Sequence, residues 1–300
     1  MSTLAEDIEF VDMPQFAAET ESLLQRLAAP PSEGDPYEAL LKDREDLPEV
    51  ELAGERDPRV EVEDVGIDLP GRTLEARIYR LDDRPRPVVL WLHGGGFVGG
   101  HLRDIEYATS GIAAAGDVTV VSLNYRLAPE NPYPAALHDV RDALTWIRNA
   151  GLGTDWIAVG GQSAGAALAA GACLLIRDEG GPLPDRQILC YPTLDVHPEA
   201  DWFRWYLGVP TSEVPPTAVP LRATTLAGLP PALVLAAGRD DLRDDALAYA
   251  DRLTKDNVET RLVEYADTMH AFLNFPAALS AGRHAVELIG ADLRLSAHRS

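Results

Sequence analysis

The sequence has little cysteine and no long apolar segment. Its 300 residues contain two cysteines, Cys173 and Cys190, which are too few for a disulfide framework. Both lie in apolar runs, so we expect buried free thiols. The first ten residues, MSTLAEDIEF, lack the apolar core of a secretory signal, and no stretch reaches the roughly 18 uninterrupted apolar residues of a membrane span. These absences predict a cytoplasmic protein without a membrane partner.

Positive charge is scarce as well. The chain has 26 Lys and Arg residues against 48 Asp and Glu residues, which gives a formal net charge of −22. Such a surface repels phosphate backbones, so no nucleic-acid partner is expected. Histidine and cysteine show no metal-ligand spacing, and the aspartate-rich segment lacks the calcium-loop pattern. The glycine-rich segments do not match nucleotide-binding patterns, so the sequence predicts neither a metal nor a cofactor.

Compact aliphatic runs alternate with helical patterns from about residue 60 onward. Runs such as PVVLWLH, VTVVSLNY and QILCYP are typical of buried parallel strands, and the helical patches between them end at glycine or polar residues. Two earlier strand-like runs, residues 59–69 and 74–81, flank the turn signal Pro70-Gly71 and predict a hairpin. The alternation predicts an α/β fold with one mostly parallel sheet and helices on both faces.

Two segments depart from this alternation. In the N-terminal segment, Phe16, Leu23, Leu24 and Leu27 fall near helical spacing, which predicts an amphipathic helix that covers another part of the molecule. The tract at about 196–230 has no strand pattern. Insertions of this size between strands often cover a functional site, and we expect the same here.

The strongest local motif is Gly161-Gln162-Ser163-Ala164-Gly165, which follows a strand-like run and precedes an alanine-rich helix. In this strand–turn–helix context a serine is held in a strained turn with its Oγ exposed above the sheet. The flanking glycines are required where strand and helix approach closely, and the helix N-terminus favours negative charge beside the serine. The motif predicts that Ser163 is a nucleophile.

A second glycine-rich turn, His93-Gly94-Gly95-Gly96-Phe97, follows the strand PVVLWL. Glycines after a strand can form a simple tight turn, but they also expose backbone N–H groups to a ligand. Together with the N–H of Ala164, the N–H groups of Gly94 and Gly95 would form an oxyanion hole.

A serine nucleophile requires a base and an acid that orients it. Of the seven histidines, His270, His284 and His298 lie beyond the acidic candidates in the chain. His284 falls in a helical pattern and His298 in the polar tail, whereas His270 follows the strand-like run TRLVEY. We therefore predict that His270 is the base.

The acid is harder to assign. The segment AAGRDDLRDDA offers Asp240, Asp241, Asp244 and Asp245. The last two are expected in the first turn of a helix, where acidic residues commonly act as caps. The pattern alone does not separate Asp240 from Asp241.

The motifs HGGGFVGG, YRLAPENPYPAALHD, GQSAG, GLPPALVLAAGRDDLRDD and MHAF, in this order from about residue 60 to 275, resemble the hormone-sensitive-lipase-like family of α/β-hydrolase esterases. The resemblance implies an α/β-hydrolase fold, with residues 1–55 as a helical cap segment and 56–300 as the catalytic domain. It places the catalytic acid at Asp240 and the histidine at His270, and it places the oxyanion glycines at Gly94 and Gly95.

Three residues depart from the family pattern. Gln162 stands where the family usually has Asp, which removes a carboxylate next to the nucleophile. Ala166 replaces a frequent Gly, and Asp241 replaces the usual Pro. None of these changes removes a catalytic part, but the first means that the pH dependence of relatives does not carry over.

Aromatic residues are concentrated in the inserted tract. Trp202, Phe203, Trp205 and Tyr206 follow one another closely, and Phe97 adjoins the glycine-rich turn. These rings either pack the insertion onto the core or line a pocket for the acyl or alcohol group. Both interpretations stay open from the sequence.

The sequence thus predicts a carboxylic-ester hydrolase that acts on short- to medium-chain acyl esters through an acyl-enzyme. An amidase or a lactonase on the same scaffold is the alternative. A non-catalytic small-molecule binder of the same fold is a further alternative, against which the presence of His270 argues. The expected partner is a small ester substrate, and the sequence leaves a homodimer open.

Overall fold

The computed structural model describes residues 8–27, 35–45, 50–208 and 214–299. Within these residues one mixed sheet of nine strands forms the centre of the molecule. The strands are β1 (Ile8–Val11), β2 (Glu61–Leu69), β3 (Arg72–Arg80), β4 (Val88–Leu92), β5 (Thr119–Leu123), β6 (Ile157–Gln162), β7 (Arg186–Cys190), β8 (Ala232–Arg239) and β9 (Thr260–Met269). Their spatial order is β1-β9-β8-β7-β6-β4-β5-β3-β2.

The sheet is parallel except at one edge. β2 pairs antiparallel with β3 through the turn at Pro70-Gly71, and β3 pairs antiparallel with β5. All the other strand pairs are parallel, from β5 across to β1. The predicted hairpin and the predicted mostly parallel sheet are both confirmed.

Helices cover both faces of this sheet, as predicted. Those described are α1 (Phe16–Leu27), α2 (Pro36–Glu45), α3 (Val50–Ala53), α4 (Glu106–Gly116), α5 (Ala135–Ala150), α6 (Ala164–Asp178), α7 (Asp201–Leu207), α8 (Arg243–Lys255) and α9 (Ser280–Ala297). Val88, Leu90 and Leu92 of β4 pack in one core with α5 and α6. Val89 and Trp91, which alternate with them, pack in the other core with α4 and α9. Both faces of β4 are therefore apolar, as in a central strand of a covered sheet.

The N-terminal segment contains a strand that was not predicted from the sequence. β1 pairs in parallel with β9 at the edge of the sheet, and Arg261 binds the carboxylate of Glu9 at 2.8 Å. The strand has four residues, and Phe10 within it is 57% exposed, so its own pattern is weak. Its strand conformation comes from backbone pairing with β9, which local propensity does not report. Residues 1–7, 28–34 and 46–49 of the predicted cap lie outside the described residues.

Helix α1 has the predicted amphipathic pattern only in part. Phe16 and Leu23 are buried against the sheet, and the Phe16 ring lies 6.2 Å from that of Tyr265 on β9. Leu24 and Leu27 are each 40% exposed. The helix covers part of the core with one narrow face.

The inserted tract contains α7 and a short 3-10 helix, Pro220–Arg222, and its described part contains no strand. Residues 209–213 of this tract are outside the described residues. Cys173 and Cys190 are buried free thiols, as predicted, and burial raises the pKa of Cys173 to about 12. Among the described helices, none combines the length and apolarity needed to cross a bilayer.

Candidate active site

Ser163 is the one residue between the end of β6 and the start of α6. Its backbone has φ 54° and ψ −119°, a conformation that is strained for a residue with a Cβ. A Cβ on Gly161 would lie 2.6 Å from the carbonyl oxygen of Leu92, and one on Gly165 would overlap the same oxygen. Since neither position has room for a side chain, the two flanking glycines let β4, β6 and α6 pack closely around the serine.

The side chain of Ser163 is the end of a chain of hydrogen bonds. His270 Nε2 lies 2.9 Å from Ser163 Oγ, and His270 Nδ1 lies 2.7 Å from Asp240 Oδ2. The other carboxylate oxygen of Asp240 accepts the backbone N–H of Leu242 at 2.9 Å, which fixes the orientation of the carboxylate. The side chain of Asp240 is 2% exposed. This arrangement has the imidazole donate through Nδ1 to the carboxylate and accept the serine proton at Nε2.

The three side chains come from neighbouring parallel strands. Ser163 follows β6, Asp240 follows β8 and His270 follows β9, so all three lie at the carboxyl edge of the sheet. β8 extends to Arg239, and β9 extends beyond the strand-like run TRLVEY to Met269. Asp240 and His270 therefore directly follow the ends of their strands, and the rigid sheet sets the distance between them.

The other aspartates of this segment lie elsewhere. Asp241 is exposed in the turn before α8, at the rim of the cavity. Asp244 and Asp245 lie in the first turn of α8, as predicted, but the prediction that they cap the helix was wrong, because no side chain caps its N-terminus. Asp245 instead accepts the backbone N–H groups of Leu194 and Asp195, at 2.7 and 2.9 Å, because these amides of the loop after β7 lie within its reach.

The glycine-rich turn after β4 lies against Ser163. A Cβ on Gly94 would be 3.4 Å from the Cβ of Ser163, so this backbone closely approaches the serine. Gly95 has φ +113°, and a side chain there would overlap the backbone of Gly99 across the turn. Ala164 is the first residue of α6. The structure thus brings the glycine-rich turn and the N-terminus of α6 to the same serine.

His93, at the start of this turn, packs against the neighbouring loop and stabilises the turn. Its ring stacks on Tyr125 with centroids 4.2 Å apart, and its Nδ1 lies 2.7 Å from the carbonyl oxygen of Gly94. Tyr125 donates its hydroxyl to the backbone oxygen of His93 at 3.0 Å. Burial lowers the pKa of His93 to about 4, so the ring is neutral at physiological pH. These contacts connect the turn to the loop after β5, which contains Tyr125.

Ser163, Asp240 and His270 open into a cavity of about 740 Å³ that Gly94 and Gly95 also line. Of the five aromatic residues predicted near the site, all within the described chain, Trp202 lines this cavity and the other four do not. Phe97 stacks on Tyr206 with centroids 3.7 Å apart, and both rings are buried, as is Phe203. Trp205 packs edge-on against Tyr37 of α2.

Several cavity residues were not found from the sequence. Leu24 of α1 and Asn274, which follows His270 by four residues, are two of them. Tyr191 is a third, and its ring meets that of His270 edge-on with centroids 5.0 Å apart. Tyr191 directly follows β7, so the rule that sites lie at the carboxyl ends of parallel strands could have identified it. No sequence signal marks Leu24 as a cavity residue.

Gln162, where the family usually has Asp, also lines the cavity. Its Nε2 donates a hydrogen bond to Oδ1 of Asn274. Through two neutral amides, this bond joins the residue before Ser163 to the short 3-10 helix Phe272–Asn274, which follows His270. In the described part of the chain, no group of three or more His, Cys, Asp and Glu side chains is placed to hold a metal ion.

Comparison with known proteins identifies the class. Residues 89–274 match the alpha/beta hydrolase fold family. Esterase LipI of Mycobacterium tuberculosis is 35% identical over 291 residues, which cover 88% of this chain and 90% of that protein. Carboxylesterase NlhH of the same organism is 36% identical over 238 residues, covering 71% and 74%. The chain therefore belongs to the α/β-hydrolase fold family, in its hormone-sensitive-lipase-like group, and the resemblance predicted from the motifs is confirmed.

Solved structures agree with this assignment. An arylesterase superposes with a TM-score of 0.82 at 29% identity, covering 93% of this chain and 98% of that one. A hyperthermophilic esterase from the archaeon Pyrobaculum calidifontis gives a TM-score of 0.75 at 35% identity, covering 79% and 86%. The predicted α/β-hydrolase fold is confirmed.

Proposed function

We propose that this protein is a carboxylic-ester hydrolase that acts on short- to medium-chain acyl esters through an acyl-enzyme on Ser163. The observation that carries the proposal is the chain of hydrogen bonds from Asp240 through His270 to Ser163, at the wall of a cavity. The esterase names of the relatives support ester bonds, rather than amides or lactones, as the target.

In the acylation step Ser163 Oγ attacks the ester carbonyl while His270 Nε2 takes the hydroxyl proton. Asp240 holds the imidazole in the tautomer with a proton on Nδ1 and stabilises the imidazolium that forms. The backbone N–H groups of Gly94, Gly95 and Ala164 bind the oxyanion of the tetrahedral intermediate. The intermediate then collapses, and the bond to the alcohol oxygen breaks.

His270 passes its proton to the leaving alcohol and is again neutral. In deacylation the same nitrogen takes a proton from water, whose oxygen attacks the acyl carbonyl. The tetrahedral intermediate uses the same N–H groups, and its collapse returns the proton to Ser163. No step requires a metal or a cofactor.

We also propose that residues 1–55 act as a cap and residues 56–300 as the catalytic domain. Leu24 of α1 lines the cavity beside Ser163, which supports a role of the N-terminal segment in substrate binding.

Two buried free thiols and the absence of disulfide pairing between them support a cytoplasmic location.

The test is hydrolysis of p-nitrophenyl esters together with labelling by a fluorophosphonate. The protein should hydrolyse the acetate ester with a chelator present, and the label should add once, at Ser163. Ser163→Ala should lose both properties, whereas Ser22→Ala, at an exposed position of α1, should retain both. A protein that requires a metal, or that is labelled at another residue, would contradict the proposal. Faster turnover of a matched anilide or lactone would replace the ester assignment.

A further inference from the structure

Arg44 of α2 extends from the N-terminal segment to two loops of the hydrolase core. Its Nε donates to the carbonyl oxygen of Val98 at 2.6 Å, and its Nη2 donates to the carbonyl oxygen of Ala128 at 2.6 Å. The guanidinium also binds the carboxylate of Glu130 with both terminal nitrogens, at 2.8 and 3.0 Å. The Arg44 side chain is 19% exposed. The side chain of Arg44 thus connects three parts of the molecule: helix α2, the glycine-rich turn after β4 and the loop that contains Ala128 and Glu130.

The Val98 carbonyl belongs to the turn that contains Gly94 and Gly95. Residues 94–100 include five glycines, so the turn has little stiffness of its own. Inside the turn, the N–H groups of Val98 and Gly99 both donate to the oxygen of Gly95, at 3.1 and 2.8 Å. From outside, the Ala128 N–H donates to the oxygen of Phe97 at 3.0 Å, on the side of the loop that Arg44 also holds.

We propose that Arg44 is a positioning residue for the oxyanion turn, which couples the N-terminal cap to the rate of the chemical step. Oxyanion donors are effective when they are held in place before the charge forms, and small displacements weaken them. By fixing the carbonyls of Val98 and Ala128, Arg44 limits how far the Gly94 and Gly95 N–H groups can move. The inference rests on the proposed function, because it assumes that these groups bind the oxyanion.

A simple anchor for the cap is the competing explanation. The ion pair with Glu130 alone would suffice for that role, and the hydrogen bond from Arg44 lowers the pKa of Glu130 to about 2. Tyr37, on the same helix, also donates to Glu130 at 3.0 Å without reaching the oxyanion turn. An anchor to Glu130 does not require the two hydrogen bonds from Arg44 to the carbonyl oxygens of Val98 and Ala128. Tyr37 therefore provides the matched control.

The experiment compares Arg44→Met, Arg44→Lys and Tyr37→Phe with the wild-type protein on p-nitrophenyl acetate, with rates divided by the titrated active sites. Arg44→Met should lower kcat by about tenfold to a hundredfold, less than the loss of a whole oxyanion donor, with KM changed less than about threefold. A trifluoromethyl ketone, whose hemiketal oxyanion uses the same N–H groups, should bind this variant at least about tenfold more weakly. Tyr37→Phe should stay within about twofold of wild type in all three quantities.

Arg44→Lys separates the two explanations and replaces Arg44→Met if that variant does not fold. Lysine keeps the charge beside Glu130 but lacks the planar fork that reaches two carbonyls at once. Its kcat should therefore remain about tenfold low. Recovery of kcat with lysine, or an increase of KM at constant kcat, would overturn the proposal. If the wild-type protein shows no Ser163-dependent hydrolysis, both proposals fail; if it is active and Arg44→Met keeps its kcat, only this inference fails.

Discussion

The turn around Ser163 and the N-terminal segment line the same cavity but are built in different ways. Around Ser163 the backbones of β4, β6 and α6 are so close that Gly161 and Gly165 have no room for a Cβ. The N-terminal segment instead contributes Leu24, which is 40% exposed, and is attached to the core by a short edge strand and polar contacts. The first region is fixed by close backbone packing on several sides. The second is held by one short strand pairing, two buried apolar side chains of α1 and polar contacts.

From this difference we expect the arrangement of the polar side chains and the selection of substrate to depend largely on different parts of the chain. Ser163, Asp240 and His270 each lie directly at the end of a sheet strand, so we expect their relative positions to be set by the sheet and not by the N-terminal segment. We expect that exposed residues of the N-terminal segment such as Leu24 can change without disturbing the sheet. Substitutions near Ser163 should therefore change turnover or folding. Those in the covering segments should change substrate preference, with the exception of Arg44, whose contact with the glycine-rich turn makes it part of the first region. The predictions below run from the largest expected effect to the smallest.

The largest effect should come from Asp240→Asn. An asparagine amide can stabilise the wrong tautomer of His270, and the equivalent change in serine proteases lowers turnover by about 10⁴. We expect a loss of that order for this protein, with an unchanged far-UV circular dichroism spectrum. The measurement is kcat on p-nitrophenyl acetate, corrected for the Ser163→Ala background.

Asp241→Asn is the matched control for that prediction. Asp241 is exposed and adjacent in sequence, so its substitution should cost less than about tenfold in kcat. If Asp241→Asn proved the more damaging change, the orienting acid would be Asp241 and the assignment from the family pattern would be displaced by one residue.

Gly165→Ala and Leu24→Ala compare the two regions by stability. The added methyl group of Gly165→Ala would overlap the carbonyl oxygens of Leu92 and His93, and such overpacking costs about 3 kcal/mol. Leu24→Ala removes an exposed side chain and should change the free energy of unfolding by less than about 0.5 kcal/mol. Urea unfolding followed by tryptophan fluorescence measures both. Equal losses in the two variants would show that the regions are not built differently.

The contrast between the turn around Ser163 and the N-terminal segment also explains what could be predicted from the sequence. The site motifs are local. The pattern from Gly161 to Gly165 indicates the junction of a strand with a helix, and the ends of parallel strands converge at one edge of the sheet. The separation of Asp240 from Asp241 needed the family pattern, because both follow the same strand. β1 could not be predicted, since its conformation depends on pairing with β9, about 250 residues away in the chain.

The contacts of Leu24 and Arg44 are equally invisible in the sequence. Leu24 lies beside Leu23 in one amphipathic pattern, yet Leu23 is buried and Leu24 lines the cavity. Which of the two faces the core depends on how α1 docks on the sheet. Arg44 donates to backbone carbonyls of distant loops. Because every residue has a backbone carbonyl, the sequence does not indicate which ones Arg44 will bind.

A smaller effect is expected from Trp202→Ala. Trp202 lines the cavity beside Gly96, whereas Trp205, on the same helix, packs on Tyr37. Loss of the Trp202 ring should raise KM about tenfold for butanoate and hexanoate esters and less for acetate, because longer chains bury more apolar surface. Trp205→Ala is the control and should leave the KM ratio between hexanoate and acetate unchanged. Identical profiles for the two variants would remove Trp202 from the substrate pocket.

The smallest effect concerns Gln162→Glu, which introduces a carboxylate beside Ser163 without changing the shape of the side chain. Asn274 can rotate its amide to donate to the new carboxylate and favour its charged form. A negative charge near His270 stabilises the imidazolium, so the active neutral imidazole appears at higher pH. The acid limb of the kcat/KM profile should therefore move up by about one pH unit. Gln162→Met, which removes the hydrogen bond without adding charge, should leave that limb in place. A downward shift, or the same shift in both variants, would contradict an electrostatic effect of the residue at position 162.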